Sequence, residues 1–250
     1  MLNLIHLSKI YAQSLEARPA LDNLSLKLEK GEFVSIIGSN GAGKSSLLKA
    51  IVGELALDSG KIILNQRALE GMSPYCRSQF IGRVFQDPNL GTVADMTVSE
   101  NLVLSALRGQ SAKLRLSPNP SLKKLFKERL ALLEMGLENK LEQLVGSLSG
   151  GQRQALSLVM AILTPPDLLL LDEHCSALDP KSSKKIMQLT DKIVRQLGIT
   201  TLMVTHNMHD ALQFGSRLIM LHQGKIIHDY NADQKNRLNL DIIHDFFEIL

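Results

Sequence analysis

Apolar and polar positions alternate along residues 2–10 and again along 24–30, the second run ending in the turn signal Lys30-Gly31. A period of two is the mark of a strand with one buried face. The two runs flank a polar loop over 14–19, and a further strand at 61–64 follows the turn Asp58-Ser-Gly60. Together they predict an antiparallel sheet at the edge of the molecule. Residues 32–37 are instead a short apolar run rich in β-formers, which reads as a buried strand, and 46–52 has a helical pattern. Near Met72 the character changes. From Pro74 to Gly146 helical spacing dominates, at 96–107 and 122–135, broken by a short strand at 81–85 and by a polar loop over 110–120 that holds Pro118 and Pro120. Strand and helix then alternate. A helix over 152–163 stops at Pro165-Pro166, a buried strand covers 167–171, and Asp179 caps a helix with Pro180 at its first position that runs to about 197. A strand at 199–204, a helix from Met208, and a hairpin of 217–222 and 225–228 across Gln223-Gly224 follow, and 240–250 reads as an amphipathic helix.

This order predicts an α/β protein with a mainly parallel sheet covered by helices, an antiparallel β edge subdomain and a small helical lobe. It is read as a single domain over 1–250, with its core in 1–73 and 147–250 and the lobe in 74–146. Composition agrees: 44 % of the 250 residues are apolar, enough for a sizeable core. A net charge of +3, with no basic run interleaved with aromatics, argues against a nucleic-acid partner. Cys76 and Cys175 stand far apart, which suggests a reducing compartment and no disulfide framework. No apolar run approaches the ~18 residues that span a membrane, and the first residues alternate like a strand without a basic leader. A cytosolic protein is expected, reaching a membrane only through a partner.

The candidate chemistry centres on Gly38-Ser-Asn-Gly-Ala-Gly-Lys-Ser45, which fits the phosphate-binding P-loop G-x-x-x-x-G-K-[ST] at every fixed position. It stands between the buried strand and the helix, the context the motif needs. Gly38, Gly41 and Gly43 let the backbone turn tightly, so that the N–H groups of Ser39, Asn40, Ala42 and their neighbours come close to phosphate oxygens. The helix that continues through Ser46 points its partly positive end at the same anion. Lys44 supplies a charge for the β/γ-phosphates, and the Ser45 hydroxyl suits Mg²⁺. A nucleoside triphosphate is the expected ligand.

A second motif, Leu148-Ser-Gly-Gly-Gln152, identifies a family. With the P-loop and Leu168-Leu-Leu-Leu-Asp172-Glu173 it resembles the ATP-binding-cassette (ABC) ATPases over essentially the whole chain, with the motifs in the expected order. The resemblance implies ATP and Mg²⁺ as cofactors, and assigns roles. Ser149, Gly150, Gly151 and Gln152 would form an anion site that closes on the γ-phosphate held by the opposite subunit of a head-to-tail, ATP-induced homodimer. Asp172 would hold the Mg²⁺ shell with Ser45, and Glu173 would act as general base. Gln86, in Phe85-Gln-Asp-Pro88, would touch Mg²⁺ and the attacking water from the hinge between core and lobe. His206 matches the switch histidine and Asp179 the loop that crosses the dimer interface. Tyr11, after the first strand, stands where the family places an aromatic that stacks on adenine. His174 and Cys175 are less typical of the family, and Cys175 reads as a small packing residue.

Several function classes remain open on these grounds. The leading one is the ATPase subunit of a bacterial importer, which would work with integral-membrane permease subunits and a separate solute-binding protein, on the inner face of the cell membrane. The stretches 91–101 and 172–180 resemble a subgroup linked to amino-acid uptake, aromatic amino acids included. The alternatives are a soluble ABC protein acting on ribosomes or DNA, and an assembly ATPase such as those of iron–sulfur scaffold systems.

Overall fold

The computed structural model describes residues 1–11, 19–109 and 120–243. In chain order its main elements are β1 (Leu2–Ile10), β2 (Pro19–Leu28), β3 (Phe33–Gly38), α1 (Lys44–Val52), β4 (Ser59–Leu64), β5 (Arg67–Ala68), α2 (Pro74–Arg77), β6 (Ile81–Val84), α3 (Val98–Ala106), α4 (Pro120–Ala131), α5 (Gly150–Ile162), β7 (Leu168–Asp172), α6 (Pro180–Leu197), β8 (Thr200–Val204), α7 (Met208–Gln213), β9 (Arg217–His222), β10 (Lys225–Tyr230) and α8 (Ala232–Lys235). The strands form two sheets. One, in the order β2-β1-β4-β5, is antiparallel throughout, as the alternating runs predict. The other runs β10-β9-β3-β8-β7-β6; its strands from β9 to β6 are parallel, and β10 pairs antiparallel on the edge.

The strand at 81–85 needs a correction. The pattern sets it inside the helical lobe, yet β6 pairs with β7 from Ile81 beside Leu168 to Val84 beside Leu171, so it is the last strand of the core sheet. A buried strand must find ladder partners for its N–H and C=O groups, and local pattern does not say in which sheet. Pro120 also belongs to a helix and not to a loop, since it opens α4, where its fixed φ fits the first turn. Pro19, expected in a loop, is likewise the first residue of β2, paired with Ile10. Residues 14–18 and 110–119 of the two expected loops lie outside the described residues. So does most of the expected helix at 240–250, although Ile243 is buried against α7 and β9.

The sheets are held together by α1. Its Leu47, Leu48 and Ile51 are buried in one cluster with Leu2 and Leu4 of β1, Leu26 of β2 and Ile36 of β3. Leu168 and Leu170 of β7 join that cluster, while Leu169 and Leu171 face the opposite way, into a cluster with α5 and α6. This is why 167–171 reads as an unbroken apolar run: a parallel strand is covered on both faces. Full burial of each such side chain contributes roughly 1.5–3 kcal/mol. Val98 and Leu102 of α3 and Phe126 and Leu130 of α4 belong to the α5–α6 cluster, so these helices share one core with the main sheet.

Parallel strands carry all their C-terminal ends to one edge. Ile36 of β3 is level with Val204 of β8, and Val204 with Asp172 of β7. The loop after β3, the carboxylates ending β7 and the histidine after β8 therefore collect on one rim, where open α/β sheets take their ligands.

Candidate nucleotide site

The loop after β3 is shaped by its glycines. Gly43 caps α1 with φ of 101°, a left-handed conformation, and a Cβ there would run into the carbonyl oxygen of Ala20. Gly38 lies so close to the backbone of Leu221 that a Cβ would strike its carbonyl oxygen. The hairpin turn at Gln223-Gly224 is built into the same wall: Gly224 N–H donates to Ala42 O at 3.0 Å, and Asp22 N–H to Gly224 O at 3.0 Å. Around the loop opens a cleft of about 670 Å³, lined by Tyr11, Pro19, Ala20, residues 39–46, Glu173, His222 and Gln223. Lys44 Nζ lies on the loop itself, donating to Gly38 O at 2.6 Å and Ser39 O at 2.9 Å. Burial lowers the pKa of its ammonium, opposed by the nearby negative charge of Glu173. A polyanion entering the cleft would offset that burial cost. Tyr11 is half exposed, and its hydroxyl lies 3.2 Å from Ser46 Oγ, across the opening.

Glu173 has φ of 45°, a conformation uncommon for a residue with a side chain and typical of functional turns. Its N–H donates to Val204 O at 2.9 Å, and its Oε2 lies 3.0 Å from His206 Nδ1. The carboxylate and the imidazole thus meet where β7 and β8 end. Asp172, one residue earlier, has Oδ2 tied to Arg83 Nη2 at 2.9 Å, while its Oδ1 accepts no hydrogen bond among the described residues. A hydroxyl at Ser45 and one carboxylate at Asp172 suit a hard cation that keeps waters and substrate phosphates as its other ligands. Among the described residues no group of three His, Cys, Asp or Glu side chains forms a cage for a metal by itself. The donor set therefore fits Mg²⁺ brought in with a nucleotide.

Other predicted residues stand apart from this cleft. Ser149 caps α5: its Oγ accepts from Gln152 N–H at 3.3 Å, and Gln152 Oε1 from Ser149 N–H at 3.4 Å. Ser149 and Gly150 are exposed, and none of the residues 149–152 lines the P-loop cleft. Asp179 caps α6 through Lys181 N–H and Ser182 N–H, and these hydrogen bonds, those from Ser182 first, hold its carboxyl below the usual range. Gln86 is exposed just past β6, which two strands, β8 and β7, separate from β3, and it does not line the cleft. Cys175 is buried, and burial pushes its thiol up, away from the reactive thiolate. Sequence reasoning missed Arg83 beside Asp172, and it read the turn at Gln223-Gly224 without placing it beside the P-loop. A lone arginine in the middle of a buried strand was a signal for the first; nothing local marked the second.

A protein-family model described as ABC transporter matches residues 21–176, more than half of the chain. The chain belongs to the ABC transporter family. It is similar to a tyrosine transport ATP-binding protein of Clostridioides difficile (strain R20291), 47 % identical over 249 residues that make up 99 % of each chain. It is also 36 % identical, over 233 residues, to a methionine import ATP-binding protein of Latilactobacillus sakei subsp. sakei (strain 23K), covering 92 % of this chain and 64 % of that one. Among solved structures it resembles a dimeric ATP-binding cassette in a post-hydrolysis state bound to ADP and Pi, with a TM-score of 0.78 and 30 % identity over 93 % of this chain and 99 % of that one. This cassette is an ATP-hydrolysing subunit of a transport system. No helix among its described residues is long and apolar enough to cross a membrane.

Proposed function

We propose that this cassette binds ATP with Mg²⁺ in the P-loop cleft and hydrolyses it to drive a separate permease that imports an amino acid of the aromatic class. The observation that carries the reading is a division of the site. The cleft holds the phosphate loop and Glu173, whose carboxylate meets His206 outside the cleft lining, whereas the capped N-terminus of α5 faces solvent elsewhere. One chain therefore has two half-sites, and a head-to-tail homodimer completes both. In it Tyr11 stacks on adenine, Lys44 and the loop N–H groups hold the phosphates, and Ser45, Asp172 and Gln86 serve the Mg²⁺. Ser149 and the amides of Gly150 and Gly151 close on the γ-phosphate from the partner, with Gln152 fixing the cap and Asp179 at the seam. Glu173 takes a proton from the attacking water while the bond from the γ-phosphorus to the bridging oxygen breaks and ADP leaves with the electron pair. Because Gln86 stands outside the cleft, its role requires the segment after β6 to swing inward when nucleotide binds.

An apolar groove of about 520 Å³ between α3, α5 and β6, with Phe85, Leu90, Val93 and Leu104 on its walls, supports docking of the permease there, on the inner face of the cell membrane. Likeness to the tyrosine transport protein along the full length supports the aromatic class, delivered by a separate solute-binding protein. The test is Glu173→Gln, which keeps shape and removes basicity. Hydrolysis should fall at least ~100-fold with ATP binding retained, and an ATP-bound dimer should accumulate on size-exclusion chromatography. Near-normal turnover would remove Glu173 from the role of base. Loss of tyrosine uptake on deletion of the chain, restored by wild type and not by Glu173→Gln, checks the transport class.

A further inference from the structure

Arg83 is the one charged side chain of β6, and it forks between two carboxylates. Its Nη1 donates to Glu54 Oε2 at 2.8 Å and its Nη2 to Asp172 Oδ2 at 2.9 Å. The side chain is only 12 % exposed and lies 4.5 Å over the Phe85 ring, while Glu54 is 44 % exposed. Its Nε is buried with no hydrogen-bond partner, so the arginine is poorly satisfied as a purely structural group. Asp172 and Glu54 hold it in place in spite of that. Arg83 and Glu54 also line the apolar groove, so the pair spans from that surface to the rim of the sheet.

We infer that Arg83 is a positioning residue that neutralises Asp172 and suppresses its hold on a divalent cation until nucleotide phosphates arrive. The guanidinium occupies Oδ2 and leaves Oδ1 without a hydrogen bond among the described residues, so the carboxylate is oriented before any metal reaches it. Its positive charge also repels a cation approaching the same carboxylate, and a pair so little exposed is weakly screened. Glu54 is the second anion, able to take the guanidinium when Asp172 turns to the metal. The phosphates of ATP bring enough negative charge to overcome the repulsion, so metal binding follows nucleotide binding. This inference rests on Asp172 serving the metal, as proposed above.

The experiment titrates the full chain, free of nucleotide, with Mn²⁺ and follows the free ion by electron paramagnetic resonance. Arg83→Met keeps an unbranched apolar stem and removes the guanidinium that lies over Phe85, and it should bind Mn²⁺ about tenfold more tightly than wild type. Arg83→Lys keeps the charge and should stay within about twofold of wild type. Glu54→Gln should weaken binding, because the guanidinium then belongs to Asp172 alone, and should change nothing on top of Arg83→Met. Asp172→Asn, added to Arg83→Met so that no guanidinium masks the carboxylate, is the control. If it leaves Mn²⁺ binding unchanged, the assignment of Asp172 to the metal fails. If it abolishes binding while Arg83→Met binds no more tightly than wild type, the role of Arg83 is overturned and that of Asp172 stands. Should Arg83→Met not fold, Glu54→Gln decides: unchanged Mn²⁺ binding in that variant overturns the inference.

Discussion

At the scale of single residues, the buried His174 makes a prediction independent of nucleotide. Its ring is 2 % exposed, its Nε2 lies 3.3 Å from Thr190 Oγ1, and burial pulls its pKa from 6.5 down to about 4. Above pH 6.5 the ring is neutral in both the native and the unfolded chain, and its contribution is fully present. As the pH falls from 6.5 toward 4 the unfolded chain takes a proton that the native chain refuses, so stability is lost across that window. Between pH 7 and pH 5 this amounts to about 2 kcal/mol. His174→Gln should flatten the pH dependence of urea unfolding by about that amount, and equal slopes in the two proteins would show that His174 does not titrate on unfolding. The same burial keeps Cys175 a packing thiol, which the sequence reading expected on chemical grounds.

At the scale of elements, the packing of β6 on α5 rests on Gly82. An added Cβ there would come within 2.7 Å of Ala161 O and 3.2 Å of Pro166 Cγ. The obstacle is backbone and cannot turn aside, so Gly82→Ala should cost roughly 1–3 kcal/mol by overpacking, measured by denaturant unfolding. Since β6 also carries Arg83 and leads into Gln86, hydrolysis should drop in that variant even at temperatures where it stays folded. A Gly82→Ala chain as stable as wild type would mean that β6 is not pressed onto α5. The helices were easier to read than the sheets. Asp179 and Pro180 at the start of α6, and Ser149 three residues before Gln152 at α5, are local signals whose capping bonds are present.

At the scale of the whole molecule, the two half-sites lead to a complementation experiment. Lys44→Ala breaks a chain's own phosphate loop and leaves its signature helix intact. Ser149→Arg does the reverse, filling the space for the partner's γ-phosphate while sparing the loop. Each variant alone should be inactive, and Ser149→Arg should still bind ATP as a monomer. Mixed, they assemble heterodimers with one intact site and one doubly broken site. Hydrolysis should return to at most about a quarter of wild type, since half the dimers are mixed and each has one working site. Normal hydrolysis by Ser149→Arg alone would mean that Ser149 does not act across the interface.

What the sequence determined by itself is whatever a run of about ten residues can encode. The P-loop with its flanking strand and helix, the carboxylates at the end of 167–172, the helix caps and the alternating strands of the antiparallel sheet all stand where their local pattern puts them. Each depends on periodicity or on the φ and hydrogen-bonding habits of a few neighbours. Tertiary structure alone decided the partners. Periodicity says that 81–84 is buried, but only the strand order joins β6 to β7 and brings Arg83 to Asp172, 89 positions away. Only the adjacency of β9 and β3 brings the turn at Gln223-Gly224 against Ala42. Burial is a property of one segment, whereas a contact between distant segments depends on the order in which all the strands assemble.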